Sequence, residues 1–498
     1  MTSPDDPAHW IEHAALNRPQ SLFLRAPRGR ALTYEALQTE TARLAFALTA
    51  RGVVAGDRVA VQVDKSVDAV LLYLACLRLG AVFVPINTAN TVNEVEYFLC
   101  DSQPRLAVVR PADGPLLAPI AARSGVQHVA TLGTEGEGTL PEWVRRASTG
   151  PVPARGGDVH SPAAIVYTSG TTGRSKGAVL TRGNLASNGS VLADAWRFTA
   201  ADVLLHTLPL FHVHGLFAAI NTVLASGSSM VLMPKFDGTQ VLKFLPEVTV
   251  YMGVPTHYTR LLQEPGLDRK ASAGMRLFVS GSAPLLAETH QEFERRTGHR
   301  ILERYGMTET LMITSNPYDG ERIPGSVGPP LPGVQVRIAD DIGNIQVKGP
   351  SVFAGYYGDP VKTRSEFTPD GWFKTGDLGR IENSYVYISG RAKDLVISGG
   401  YNVYPKEVES ELDAIEGVLE SAVFGILHPD FGEGVTAAVV SRAGMTLSEA
   451  TLIAALKARL AGYKIPKRIV FVDELPRNTM GKVQKNALRA THAGLYGK

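Results

Sequence analysis

Only two cysteines, Cys76 and Cys100, occur in 498 residues. That number excludes a disulfide framework and a four-thiolate metal site, and the apolar neighbours of both fit buried, reduced thiols. No apolar run is long enough to cross a bilayer. The longest, DAVLLYLACLRLGAVFVPI, is interrupted by Arg78 and Gly80 and reads as a helix followed by a strand. The N-terminal stretch MTSPDDPAHWIEHAALNRP lacks the basic start and apolar middle of a signal peptide, so a cytoplasmic location is expected. An excess of charge is missing too. A net charge of +2 provides no bulk field for nucleic acid or for an anionic membrane, and neither is expected as a partner. No internal repeat is visible. The length exceeds one core and implies roughly two to four folding units.

What the chain does have is an alternation of short β-rich runs with helical stretches. DRVAVQV reads as a strand, SVDAVLLYLACLRLG as a helix closed by Gly80, and AVFVPI as a strand again. This βαβ pattern predicts an α/β fold with largely parallel sheets. VLLHTLPL, SMVLMP, VTVYMGV and MRLFVSG repeat it. From about residue 322 the pattern changes: PGSVGPPLPGVQVRI, GNIQVKGP and YVYISG are short strands between Gly and Pro turns, which suit a small β-barrel. EVESELDAIEGV, LESAVFGIL, GVTAAVVS and LSEATLIAALKARLAGY then predict a compact α+β domain of about 100 residues at the C-terminal end. The Gly-, Pro- and Ser-rich segment 131–161 reads as a surface connection.

One stretch carries obvious chemistry. YTSGTTGRSKGAVLT, residues 167–181, gathers small hydroxyls, glycines, Arg174 and Lys176 directly after the apolar run AAIV. Glycines let backbone N–H groups converge on one point, and hydroxyls and an ammonium add donors and charge. Polyphosphate is the natural guest of such a loop, although the spacing is not that of a Walker A motif. Taken alone, a mobile polar turn is the other reading.

The loop has company. PLFHVHGL (209–216), SGSAPL (280–285), ERYGMTET (303–310), GWFKTGDLG (371–379), GRAKDLVISGGYNVYP (390–405) and PRNTMGKVQK (476–485) follow it in order. Together they resemble the adenylate-forming superfamily of acyl-CoA synthetases, carrier-loading adenylation domains and luciferases. The resemblance covers essentially the whole chain. It implies a large N-terminal domain, residues 1–392, of two parallel-type α/β subdomains plus a small β-barrel, and a mobile α+β domain, residues 393–498. It also implies a two-step reaction, in which a carboxylate and ATP give an acyl-AMP and pyrophosphate, and the thiol of CoA then displaces AMP.

Residue roles follow from the same resemblance. Thr168, Ser169, Gly170, Thr171, Thr172, Gly173 and Lys176 would hold the outer phosphates. Thr308 would meet the α-phosphate and Glu309 would carry Mg²⁺, an ion that accepts few protein ligands. Gly281, Ser282, Ala283 and Pro284 would wall the adenine on which Tyr305 stacks, with Glu303, Arg304, Gly306 and Met307 completing the nucleotide contacts. Asp377 would accept both ribose hydroxyls, as a carboxylate can, with Arg391 beside it. Lys482 would bridge the attacking carboxylate and the α-phosphate. Lys393 would be the pivot on which the C-terminal domain turns, and Gly399, Gly400 and Tyr401 would line the tunnel for the pantetheine arm. His212 would border the acyl site and that tunnel. Acetylation of Lys482 would remove its charge, which makes a lysine acetyltransferase and deacetylase expected partners.

The acid is read from GVPTHYTRLL. Pro255 opens a helix, and Arg260 lies within its first two turns, where the resemblance places the acyl pocket. A buried cation needs a partner, so an acid with a second carboxylate is expected there. Ser282, Met307 and His212 would complete a short pocket. The whole set is most similar to malonyl-CoA synthetases, which implies malonate and methylmalonate as substrates. Other short acids, or a free-standing carrier-loading enzyme, are the alternatives. Two departures are visible: ADDIGNIQVKGP (339–350) is short, and Ile313 stands where a polar residue is expected.

Overall fold

The computed structural model describes residues 6–27, 29–147, 158–168, 175–478 and 481–497. Two largely parallel sheets form most of it. The first runs, in spatial order, Gly355–Tyr356, Lys176–Thr181, Pro162–Thr168, Val82–Pro85, Arg58–Gln62, Leu106–Val109 and His128–Thr131. The second runs Leu311–Ser315, Leu302–Met307, Leu277–Ser280, Val250–Gly253, Val203–His206, Ser229–Leu232, Leu22–Arg25 and Ala31–Thr33. Antiparallel strands close the edges that bear on function: Pro162–Thr168 with Lys176–Thr181, and Leu302–Met307 with Leu311–Ser315.

The expected βαβ unit is present, and its boundaries have local causes. The Ser66 hydroxyl accepts the N–H of Ala69 and caps the helix Val67–Leu79. Gly80 ends it with φ near 80°, a left-handed conformation glycine adopts without strain. The helix is buried on nearly all sides because both sheets pack on it, with Val59 and Phe83 from one and Leu204 and Met252 from the other in a single core. Lys65, just before it, ties the sheets together: its Nζ contacts His206 Nδ1 at 2.8 Å and donates to the carbonyls of His206 and Leu208.

An antiparallel four-stranded sheet follows, in the order Gln335–Ile338, Asn344–Lys348, Phe373–Glu382 and Tyr385–Arg391. The short 339–350 segment comprises a tight turn, 339–343, and the second of these strands. Asp340 holds the turn by accepting the N–H groups of Ile342, Gly343 and Asn344. Beyond it lies a small α+β domain with its own apolar cores, built on the long hairpin Val418–His428 and Gly432–Ser441. One expectation is corrected. Within 131–161, residues Thr139–Arg146 form a helix rather than a plain connection. Leu140 is buried, Trp143 packs on the main core and Arg51 covers its ring, tertiary contacts that Gly and Pro content does not reveal. No helix of the described residues is long and apolar enough to cross a membrane.

Candidate active site

The expected site residues come from strand ends and turns that converge between the sheets, the small antiparallel sheet and the C-terminal domain. Thr168 ends one strand and Lys176 begins its partner, paired with each other. Ser169, Gly170, Thr171, Thr172 and Gly173 lie outside the described residues. Thr308 and Glu309 sit in the turn between Leu302–Met307 and Leu311–Ser315. That turn is tight because Gly306 has no side chain; a Cβ there would lie 2.0 Å from the Leu311 carbonyl. Glu309 is buried, and burial raises its carboxyl pKa above the usual range. Its Oε1 accepts the hydroxyls of Tyr356 at 3.0 Å and Thr168 at 3.3 Å.

Asp377 and Arg391 face each other across adjacent strands, with Arg391 Nε 2.7 Å from Asp377 Oδ1. The Tyr305 hydroxyl donates to the other Asp377 oxygen. Arg391 is held charged chiefly by Asp377. Lys482 reaches this group from the C-terminal domain. Its loop is a hairpin in which Asn478 and Lys482 exchange hydrogen bonds and Arg477 bridges to Val483. Gly481 rests against Thr256, so the loop is docked on the helix Pro255–Leu261. Burial, and secondarily Arg391, push the Lys482 ammonium down to about 8, while Asp377 and Glu309 oppose the shift.

On the other side of Lys482 the groups are nitrogen bases and cations. His212 is pushed down to about 3 by burial, then by Lys482 and Arg304, so its imidazole is neutral across physiological pH. His214, fully buried, opens a π-helical stretch, and its Nδ1 lies 3.3 Å from Ser282 Oγ. Ser282 holds φ near 74°, a strained conformation for a residue with a side chain. Arg304 lies beneath Gly281, whose missing Cβ would fall 2.4 Å from the guanidinium carbon. It is 3% exposed, its Nε and Nη2 have no hydrogen-bond partner among the described residues, and burial lowers it to about 9.

Several expectations change. Arg304 forms no ion pair among the described residues, and its charge acts on His212, His214 and Lys482. Glu303 is buried, with one oxygen accepting the Leu285 N–H at 3.2 Å, so it braces the 281–285 loop; burial pushes it up to about 7. Arg260 is exposed, not buried, because Tyr258 and Leu261 take the inward face of their helix. Ile313 is a core residue with no exposure. Ala283 and Pro284 lie in the loop between Leu277–Ser280 and the helix Ala287–Thr297, and Met307 ends the strand that carries Arg304 and Tyr305. Gly399 and Tyr401 make contacts within their own domain: Gly399 donates to Phe431, and Tyr401 stacks on Tyr463; Gly400 lies between them with φ near 81°. Lys393 is exposed in a short 3₁₀ turn directly after Arg391. Sequence reasoning missed Tyr356 and His214. The FAGYYGDP and FHVHGL runs hold them, but nothing local says which aromatic or which histidine turns inward.

Profiles of known families coincide with this arrangement. AMP-binding enzyme matches residues 11–357, and AMP-binding enzyme C-terminal domain matches residues 407–482. The chain belongs to the AMP-binding enzyme family. Within that family it is 36% identical over 508 residues to the mitochondrial malonate–CoA ligase ACSF3 of Homo sapiens, covering 92% of this chain and 87% of that protein. It is 37% identical over 500 residues to the sulfoacetate–CoA ligase of Cupriavidus necator, covering 97% of both. Among solved AMP-binding enzymes, it is 52% identical to MatB of Rhodopseudomonas palustris in an ATP-bound crystal structure. That match covers 98% of this chain and 99% of the other, with a TM-score of 0.95.

Proposed function

We propose that this protein is an AMP-forming ligase that joins malonate, and also methylmalonate, to CoA at the expense of ATP. The observation that carries the acid assignment is Arg304, a buried guanidinium without a carboxylate partner, set among neutral histidines next to the catalytic lysine. A buried unpaired cation is costly, and a second carboxylate on the substrate would supply its counter-charge. Arg260, exposed on the neighbouring helix, would assist at the mouth. Similarity to a malonate–CoA ligase over 92% of the chain supports the same reading.

In the first step Lys482 would screen the attacking carboxylate from the α-phosphate, both anionic, and hold them for in-line attack. Asp377 would take the ribose hydroxyls, with Tyr305 and Arg391 fixing its two oxygens. Thr168 and Lys176 would meet the outer phosphates, and Thr308 the α-phosphate. The donor set suits magnesium: Glu309 has one oxygen that no hydrogen bond from another described residue reaches, and among the described residues no cluster of three or more His, Cys, Asp or Glu competes for it. When bound, the ion neutralises phosphate charge. The neutral His212 would leave the acyl carbon accessible to the incoming thiol.

For the second step the domain beyond Lys393 would rotate and bring Gly399, Gly400 and Tyr401 to the cleft, withdrawing Lys482. Lys393→Pro, which fixes φ at the pivot, should then spare one half-reaction and block the other. Acetylation of Lys482 would silence the first step, as an Ala substitution would. The decisive experiment measures AMP and thioester formation from CoA with malonate, methylmalonate, sulfoacetate, succinate, acetate and butyrate. Malonate should have the highest kcat/KM. Acetate or butyrate turned over as well as malonate would overturn the assignment, and sulfoacetate in first place would replace it.

A further inference from the structure

We propose that Tyr356 is a positioning residue that presents Glu309 to the cation accompanying ATP and steadies Lys176 beside it. The inference rests on the ligase reading but concerns a residue to which that reading gives no role. Tyr356 sits on the edge strand Gly355–Tyr356, antiparallel to Lys176–Thr181 and opposite Ala178. Its backbone N–H donates to Thr363 Oγ1, and its ring packs edge-on against Phe353 at 5.0 Å, so its direction is fixed.

Two contacts leave this side chain, each made by a different part. The hydroxyl donates to Glu309 Oε1 at 3.0 Å, and Thr168 donates to the same oxygen at 3.3 Å. Oε1 is thereby occupied by hydroxyl donors, while no hydrogen bond from another described residue reaches Oε2. A carboxylate held in this way offers one defined oxygen to a hard cation and cannot swing away from it. The face of the ring, meanwhile, lies 5.6 Å from Lys176 Nζ, within reach of a cation–π contact. The lysine that would meet the outer phosphates and the carboxylate that would meet their counter-ion are therefore set by one tyrosine.

The two contacts separate by mutation. Tyr356→Phe removes only the hydroxyl, and Tyr356→Leu removes the ring as well. Binding of ATP without acid is measured by calorimetry, with Mg²⁺ and in EDTA, on the folded full-length protein. In Tyr356→Phe, affinity for ATP with Mg²⁺ should fall roughly tenfold or more, the worth of one hydrogen bond to a charged group, while affinity in EDTA stays within about twofold. Thr168→Val removes the second donor to Glu309 Oε1. Because Thr168 would also meet the outer phosphates, some loss is expected in EDTA, but the loss with Mg²⁺ should be larger, which keeps the test open if Tyr356→Phe fails to fold. Tyr356→Leu should weaken both forms, because Lys176 loses its support. Equal losses with and without Mg²⁺ in Tyr356→Phe, or no loss in either, would overturn the proposal. A wild-type protein that binds no ATP under either condition would instead overturn the ligase reading on which it stands.

Discussion

The two ends of the cleft carry opposite chemistry. Toward the proposed nucleotide lie Glu309 and Asp377, two buried carboxylates crowded by hydroxyls from Thr168, Tyr356 and Tyr305. Toward the proposed acid lie Arg304, His212 and His214, with no carboxylate in hydrogen-bond contact among the described residues. Lys482 feels both ends: burial and then Arg391 lower its ammonium most, Asp377 and Glu309 raise it, and Arg304 lowers it further. At the carboxylate end Arg391 already offsets Asp377, whereas at the nitrogen end no carboxylate among the described residues offsets Arg304.

Removing the residue at the junction should have the largest effect. Lys482→Ala is expected to lower adenylation by about 10²–10³ while sparing thioester formation from supplied malonyl-AMP. Equal losses in the two single-turnover assays would place Lys482 outside the first step. The same residue sets a pH dependence. In the proposed role the ammonium would be the working form, and it is lost as pH rises through about 8, so kcat/KM for adenylation should fall on the alkaline side with that midpoint. Bound phosphates favour the ammonium, so the limb in kcat should lie higher. A profile flat between about pH 7 and 9 would argue against this assignment.

The nitrogen end is sharpened by comparing two arginines. Arg304→Met should lower the malonate-to-butyrate ratio of kcat/KM by about 10², because malonate then brings an unpaired charge into an enclosed site. Arg260→Leu, at an exposed position, should change it by no more than about fivefold. If the order is reversed, the second carboxylate rests on Arg260 and Arg304 has a structural role. The smallest effect is expected at the Glu288–Arg442 pair, 2.9 Å apart, which joins the two domains in this arrangement. Its side chains are 63% and 44% exposed, so Glu288→Ala should shift the ratio of the half-reactions by less than about fivefold. A larger shift would make this surface contact a determinant of domain orientation.

The boundaries of Val67–Leu79 were legible in the sequence because Ser66 and Gly80 act on their own backbone neighbours. The helix Thr139–Arg146 was not, since its support comes from burial of Leu140 and Trp143 against distant residues. The same division runs through the site. The order of the site motifs, and Lys482, Glu309, Asp377 and Arg391 within them, could be read directly. The inward turn of Arg304 and the outward turn of Arg260 could not, because the neighbours that fill the core decide which way each side chain faces.

By itself, then, the sequence determined the α/β grammar, the family, and the residue types able to bind phosphate, ribose and an acid. Periodicity, caps and motifs are local or ordered along the chain, and so survive without coordinates. Only the tertiary structure decided that Tyr356 and Thr168 share one oxygen of Glu309, that Glu303 braces a loop, and that Arg304 rather than Arg260 lacks a partner in a buried place. These are matters of charge and hydrogen bonding at close range. Tyr356 and Glu309 lie 47 residues apart, and their 3.0 Å contact exists only where an edge strand of one sheet meets the hairpin turn of the other.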